Sequence, residues 1–220
     1  MPSTPEKVFD LLLQAYGPQD WWPGETPFEV MVGAVLVQNT NWKNVEQAIT
    51  QLKDAGALNP SGILLLSPAE LQQRIRPAGY FRIKEQRLRS LVQFFVEWYG
   101  GDIERMRATE LRLLREQLLQ VHGIGPETAD SILLYAVEKP SLVVDAYTLR
   151  VFARHGWVPQ GTSYHALQEH LAGELPAKTE IYNELHALLV KVGKEHCGKT
   201  PHCEGCPLEG MLPVGGLVAG

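Results

Sequence analysis

Apolar residues recur along this chain mostly at three- and four-residue spacing, and few stretches alternate as strands do. Residues 5–16 read as a first helix, with Thr4 as N-cap and Val8, Phe9, Leu12 and Leu13 facing inward. Residues 28–37 are apolar nearly all round, the pattern of a helix buried on every side. Amphipathic helices are predicted over 41–55, 67–74, 83–98, 109–120 and 126–137, and after Pro140 over 146–155, 164–171 and 179–194. Glycine and proline punctuate nearly every junction, and the tail from Gly210 onward is expected to fray. The expected class is all-α, a compact array of many helices without internal repeats.

Composition adds limits. With 220 residues, 45% hydrophobic and 20% charged, the chain has the make-up of a globular protein with a substantial core. Its longest apolar runs are too short to span a bilayer, and the N-terminus lacks the pattern of a signal peptide, so a cytoplasmic location is expected. The net charge of −5 is unusual for a nucleic-acid binder. Basic residues are nevertheless concentrated at Arg74, Arg76, Arg82, Lys84, Arg87 and Arg89, with only Glu85 opposing them. Local density matters here, because salt limits the reach of a charge to about 8–10 Å. The other reading of this run is a solvated helix face.

Two segments carry chemistry. In Leu118–Ala129 one helix runs into Gly123-Ile124-Gly125 and a second starts at Pro126. The glycines allow a tight turn and close approach, and proline suits a first helical position. Exposed amides at the new helix start would face an anion such as a DNA phosphate, with Ile124 pinning the hairpin to the core. A plain turn between two helices is the bland alternative. Twenty residues beyond Gly125, Asp145 follows Val143-Val144 and opens a helix. Alone it reads as an N-cap. A carboxylate held at a helix start is also favoured in its ionised form and can stabilise developing positive charge.

The hairpin pattern, and an aspartate at that distance from it, resemble the helix-hairpin-helix superfamily of DNA glycosylases related to endonuclease III. The resemblance implies a two-lobed helical fold with a cleft between the lobes. Residues 21–137 would form a six-helix barrel lobe holding the hairpin. Residues 1–20 and 138–220 would form a second lobe with the catalytic aspartate and a C-terminal cysteine loop. It further implies a monomer acting on double-stranded DNA with a damaged base flipped out, Asp145 as catalytic carboxylate, and Gly123, Ile124 and Gly125 gripping the backbone. Gln38 would fill the gap in the duplex, with Asn39 and Lys84 as further DNA contacts. Bifunctional members carry a Schiff-base lysine two residues after the second hairpin glycine. Glu127 stands there, which implies hydrolysis by water with weak or absent lyase activity.

The segments Trp21-Trp22-Pro23 and Gly33 to Thr40, with Gly79-Tyr80-Phe81 followed by Lys84, resemble the endonuclease-III-like 3-methyladenine DNA glycosylases in particular. There the positions of Trp21 and Trp42, with Pro23, sandwich the base, and Trp22 is a further candidate for the base pocket. An alkylated purine carries positive charge, leaves readily, and is attracted to an indole face by about 0.5–2 kcal/mol. A lyase acting on oxidised pyrimidines or abasic sites, and a non-catalytic DNA-binding module, are the alternatives. Trp98 and Trp157 read as core packing.

Cys197, Cys203 and Cys206 crowd the C-terminus. Thiols at short spacing suggest metal rather than disulfides in such a protein. The resemblance implies a [4Fe–4S] cluster, but its fourth cysteine is due near Leu212. A cluster with a non-cysteine fourth ligand, a zinc site drawing on His196 or His202, and a loop without metal all stay open.

Overall fold

The computed structural model describes residues 4–21 and 24–218. Among them it is all helical, with a single isolated β-bridge between Cys197 and Pro201. The chain forms two compact units, residues 22–139 and residues 1–21 with 140–220.

In the first of these, α2 (Pro27–Leu36) is the axis. Its Val30, Met31, Val32, Val35 and Leu36 are each at most 2% exposed, as expected for a helix apolar all round. Around it come α3 (Trp42–Asp54), α4 (Pro60–Leu65), α5 (Pro68–Arg74) and α6 (Phe81–Tyr99). They are followed by α7 (Ile103–Ala108), α8 (Leu111–Gln120) and α9 (Pro126–Ser131). The caps are written in the sequence. Thr26, Asn41 and Asn59 each accept a backbone N–H, and Ser67 with Glu70 forms a reciprocal capping box.

The helix expected over 126–137 is one element only in part. After Ser131 it widens into π turns over Ile132–Ala136, all of them buried and packed on α2. The short helices α4 and α7 were not foreseen, because a six-residue segment shows less than two turns of periodicity. Trp98 departs from its expected core place: it lies on the outer side of α6, 62% exposed, leaning on Phe94 at 5.8 Å.

The second unit contains α1 (Thr4–Tyr16), α10 (Ala146–Arg154), α11 (Tyr164–Glu174) and α12 (Thr179–Glu195). Helix α12 is central and packs against both α10 and α1. Gly193 makes the α10 contact close, since a Cβ there would lie 2.4 Å from the ring of Tyr147. No helix is long and apolar enough to cross a membrane among the described residues.

One ion pair ties the two hairpin helices together. Arg115 of α8 holds Asp130 of α9 by two hydrogen bonds of 2.7 and 2.9 Å, and the Asp130 side chain is fully buried. Arg115→Ala removes both of these bonds from a buried carboxylate and is expected to cost about 3–5 kcal/mol. The loss should appear as a lower urea midpoint at unchanged m-value.

Candidate DNA grip and catalytic carboxylate

The hairpin is built as the glycines suggest, and each has its own reason. Gly123 has φ +82°, and a Cβ on it would meet Arg87 Cγ at 2.1 Å. Gly125 is extended at φ −92°, caps α9, and faces open space. Ile124 is 5% exposed.

Beneath the turn runs a polar strut. Gln38 Nε2 donates to Gly123 O at 3.1 Å and to Thr128 Oγ1 at 2.9 Å, while Arg87 Nη1 donates to Gln38 Oε1 at 2.6 Å. Asn39, exposed and left-handed at φ 55°, makes the turn that aims Gln38 this way. To fill a gap in DNA, Gln38 would first have to break all three bonds.

Lys84 does not lie on the surface where a DNA contact belongs. It is 1% exposed and donates to Leu36 O at 2.8 Å and Ala78 O at 2.7 Å. Burial, with the charge of Arg87 nearby, lowers its pKa to about 8. Arg89 is also engaged internally, with Glu85 at 2.5 Å and with carbonyls of Leu64 and Leu66. Of the basic run, Arg74, Arg76 and Arg82 remain exposed. Beside them stands Tyr80, left-handed at φ 46° and 67% exposed. A strained backbone bearing an exposed ring near cations is a functional signal that sequence reasoning missed.

Trp42 begins α3 half-buried, its indole laid on Gly33, where a Cβ would come within 3.0 Å of the ring. Trp22 and Pro23 lie outside the described residues. Trp21, in the other unit, leans on His186 at 5.4 Å and 44°. The segment before it is fastened to α12, because Gln19 N donates to Glu184 Oε1 at 2.8 Å.

Asp145 is the N-cap of α10, with its side chain 12% exposed. Oδ1 accepts from Thr148 N at 2.8 Å and from Thr148 Oγ1 at 2.9 Å. Oδ2 faces His186 Nε2 at 3.8 Å. Burial alone would raise this carboxyl, but the nearby His186 imidazole and the Thr148 donors outweigh it and hold it below its ordinary value. The group is therefore ionised at neutral pH. His186 was missed in the sequence, where it sits inside an apolar helical stripe.

Cys197, Cys203 and Cys206 carry free thiols and line one cavity with His155, His196 and Leu212. His202 and Glu209 line the same cavity, and Leu212 stands where the fourth cysteine was due. Among the described residues no group of three or more Cys, His, Asp or Glu side chains is placed to hold a metal ion, and with three cysteines in the chain no fourth one completes a four-thiolate set. The loop has other support. Arg154 donates to Cys197 Sγ at 3.4 Å, to Gly198 O at 2.7 Å and to Lys199 O at 2.9 Å. Arg150 donates to Cys197 O at 2.5 Å.

An all-helical chain with a glycine hairpin between two packed helices and a capped, ionised aspartate beyond it has the parts of a helix-hairpin-helix DNA repair protein. Residues 32–177 match the HhH-GPD superfamily of base excision DNA repair proteins, and the chain belongs to that family of DNA glycosylases. A putative DNA repair glycosylase of Methanocaldococcus jannaschii is 46% identical over 204 residues, covering 92% of this chain and 93% of the relative. Endonuclease III of Thermotoga maritima is 30% identical over 184 residues, covering 83% and 81%. Among solved structures, the Helicobacter pylori 3-methyladenine DNA glycosylase bound to 1,N6-ethenoadenine superimposes with a TM-score of 0.74. It is 27% identical and covers 87% of this chain and 97% of its own.

The two glycines make a discriminating pair. Gly123→Ala meets both the positive φ and the Arg87 stem, and is expected to cost about 1–3 kcal/mol. Gly125→Ala has room and should stay within about 1 kcal/mol of the parent protein. Thermal melts of the two variants check the difference.

Proposed function

We propose that this protein is a monofunctional glycosylase that releases alkylated purines such as 3-methyladenine from double-stranded DNA, using water as nucleophile. The observation that carries the reading is Asp145: ionised, mostly enclosed, and with one oxygen bound to its helix while the other is not needed there. As the C1′–N bond breaks, its electron pair returns to the cationic purine, which leaves neutral. Positive charge grows on the sugar, and a fixed carboxylate stabilises it. Water then adds to C1′, and its proton passes to Asp145 or to solvent.

Two features favour alkylated bases over other lesions. A base already carrying positive charge needs no acid to leave, and it is attracted to an indole face of the kind that Trp21 or Trp42 would supply. The 3-methyladenine glycosylase with which the chain superimposes is in line with this choice. Monofunctionality rests on Glu127, exposed in the first turn of α9, where a Schiff-base amine would be required. The duplex would be held by the amides of the hairpin, with the arginines before α6 and the Tyr80 ring beside them.

Asp145→Asn should abolish release of 3-methyladenine from methylated DNA, a fall of about 100-fold or more, while DNA binding stays close to the parent value. Borohydride should trap no covalent complex on abasic DNA, since no imine forms. Persistent base release in the asparagine variant would remove the carboxylate from its role.

The cysteine loop takes no part in these steps. With leucine rather than cysteine at position 212, the purified protein should carry well under four irons per chain. Leu212→Cys should raise both the iron content and the absorbance near 400 nm. Four irons per chain in the unaltered protein would show that the cavity recruits a ligand from elsewhere.

A further inference from the structure

Asp145 has two oxygens, and the helix uses only one of them. Oδ1 takes both Thr148 donors, and Thr148 is fully buried, so the cap is fixed. Oδ2 is turned to α12, where His186 Nε2 stands 3.8 Å away. His186 is 7% exposed and has Trp21 against its ring. Seven residues further along α12 is Gly193, two turns on and therefore on the same face. The ring of Tyr147 rests on it, so close that any side chain at 193 would push the helices apart. Arg150 lies over the other side of that ring, 4.9 Å from its centroid. One helix face thus sets the distance between the two helices and presents an imidazole to the oxygen that the cap leaves over.

We infer that His186 is a positioning residue for Asp145, orienting Oδ2 toward the sugar and holding Trp21 beside it. The inference rests on the reading of Asp145 as the catalytic carboxylate. At 3.8 Å the pair is beyond hydrogen-bond length. Catalytic contacts are often long before substrate arrives, and an approach of about 1 Å would close an Nε2–H···Oδ2 bond. That bond orients the carboxylate without consuming the lone pairs that face C1′. His186 touches neither base nor sugar in this scheme and exchanges no proton with them. It fixes where the negative charge sits, and an error of about 1 Å there is worth on the order of a hundredfold in rate.

The test compares His186→Leu with His186→Gln, whose amide keeps an N–H donor near the reach of Nε2. Single-turnover release of 3-methyladenine and affinity for methylated duplex are measured for each, with thermal melts alongside. His186→Leu is expected to lower the release rate by about ten- to a hundredfold with unchanged DNA affinity, and His186→Gln to recover most of that loss. A leucine variant releasing base at the parent rate overturns the inference. So do two variants that lose activity equally and in proportion to a lowered melting temperature, because that is only a packing role. Asp145→Asn, run in parallel, separates the two ideas. If it is inactive while His186→Leu is fully active, only the positioning role fails; if it is active, the carboxylate reading fails first.

Discussion

At the start of α10 a single carboxylate meets two demands that usually compete. A helix needs an acceptor for its orphan amides, and an N-cap aspartate satisfies that need by fixing its own geometry. Here the backbone N–H and the hydroxyl of Thr148 both converge on Oδ1, so the cap is complete with half of the group. The remaining oxygen keeps its charge without a structural duty. It stays ionised although the side chain is mostly enclosed, because the donors around it outweigh the cost of burial. Every chemical proposal made for this chain depends on that division.

The hairpin obeys a different constraint. A turn that offers its amides to a phosphate must turn its carbonyls elsewhere, and buried carbonyls require donors. Gln38 supplies one to Gly123 O, and Arg87 holds Gln38 in place. The Arg87 stem occupies the space where a side chain on residue 123 would go, so the turn is glycine for packing as well as for φ. The Arg115–Asp130 pair then locks α8 to α9 from behind. A grip that reads no sequence gains from being rigid, because its order is set before DNA arrives.

Much of this was legible in the residue pattern, and the failures have a common origin. The all-helical class, the buried α2, the hairpin and the cap at Asp145 depend on neighbours in sequence, and these were seen. Lys84 was placed on the surface because its neighbours are basic. What buries its ammonium is the carbonyl of Leu36, forty-eight residues away. Gln38 was seen as a residue free to act on DNA, and its restraint also comes from far along the chain, at Arg87, Gly123 and Thr128. His186 occupies an inward position of α12 between Tyr182 and Leu189, and its place on the apolar stripe was visible in the periodicity. Its partner was not, since nothing local links α12 to residue 145. Local chemistry is written in sequence; the pairing of buried polar groups is written in the fold.

The same logic bears on which base such a site can remove. A glycosylase acting on a neutral base must protonate it or stabilise an anion as it leaves. Among the described residues, the polar groups established around the carboxylate are His186 at Oδ2 and Thr148 at Oδ1, and Thr148 is spent on the cap. If His186 serves to orient the carboxylate, it is not available as an acid for the departing base. Stabilisation then falls wholly on the sugar side of the breaking bond, through one negative oxygen. That is sufficient when the base carries its own positive charge, and weak when it does not. Under the proposed reading, a carboxylate fixed through Oδ1 by its cap, with no amine in the position of Glu127, suits leaving groups that are already activated.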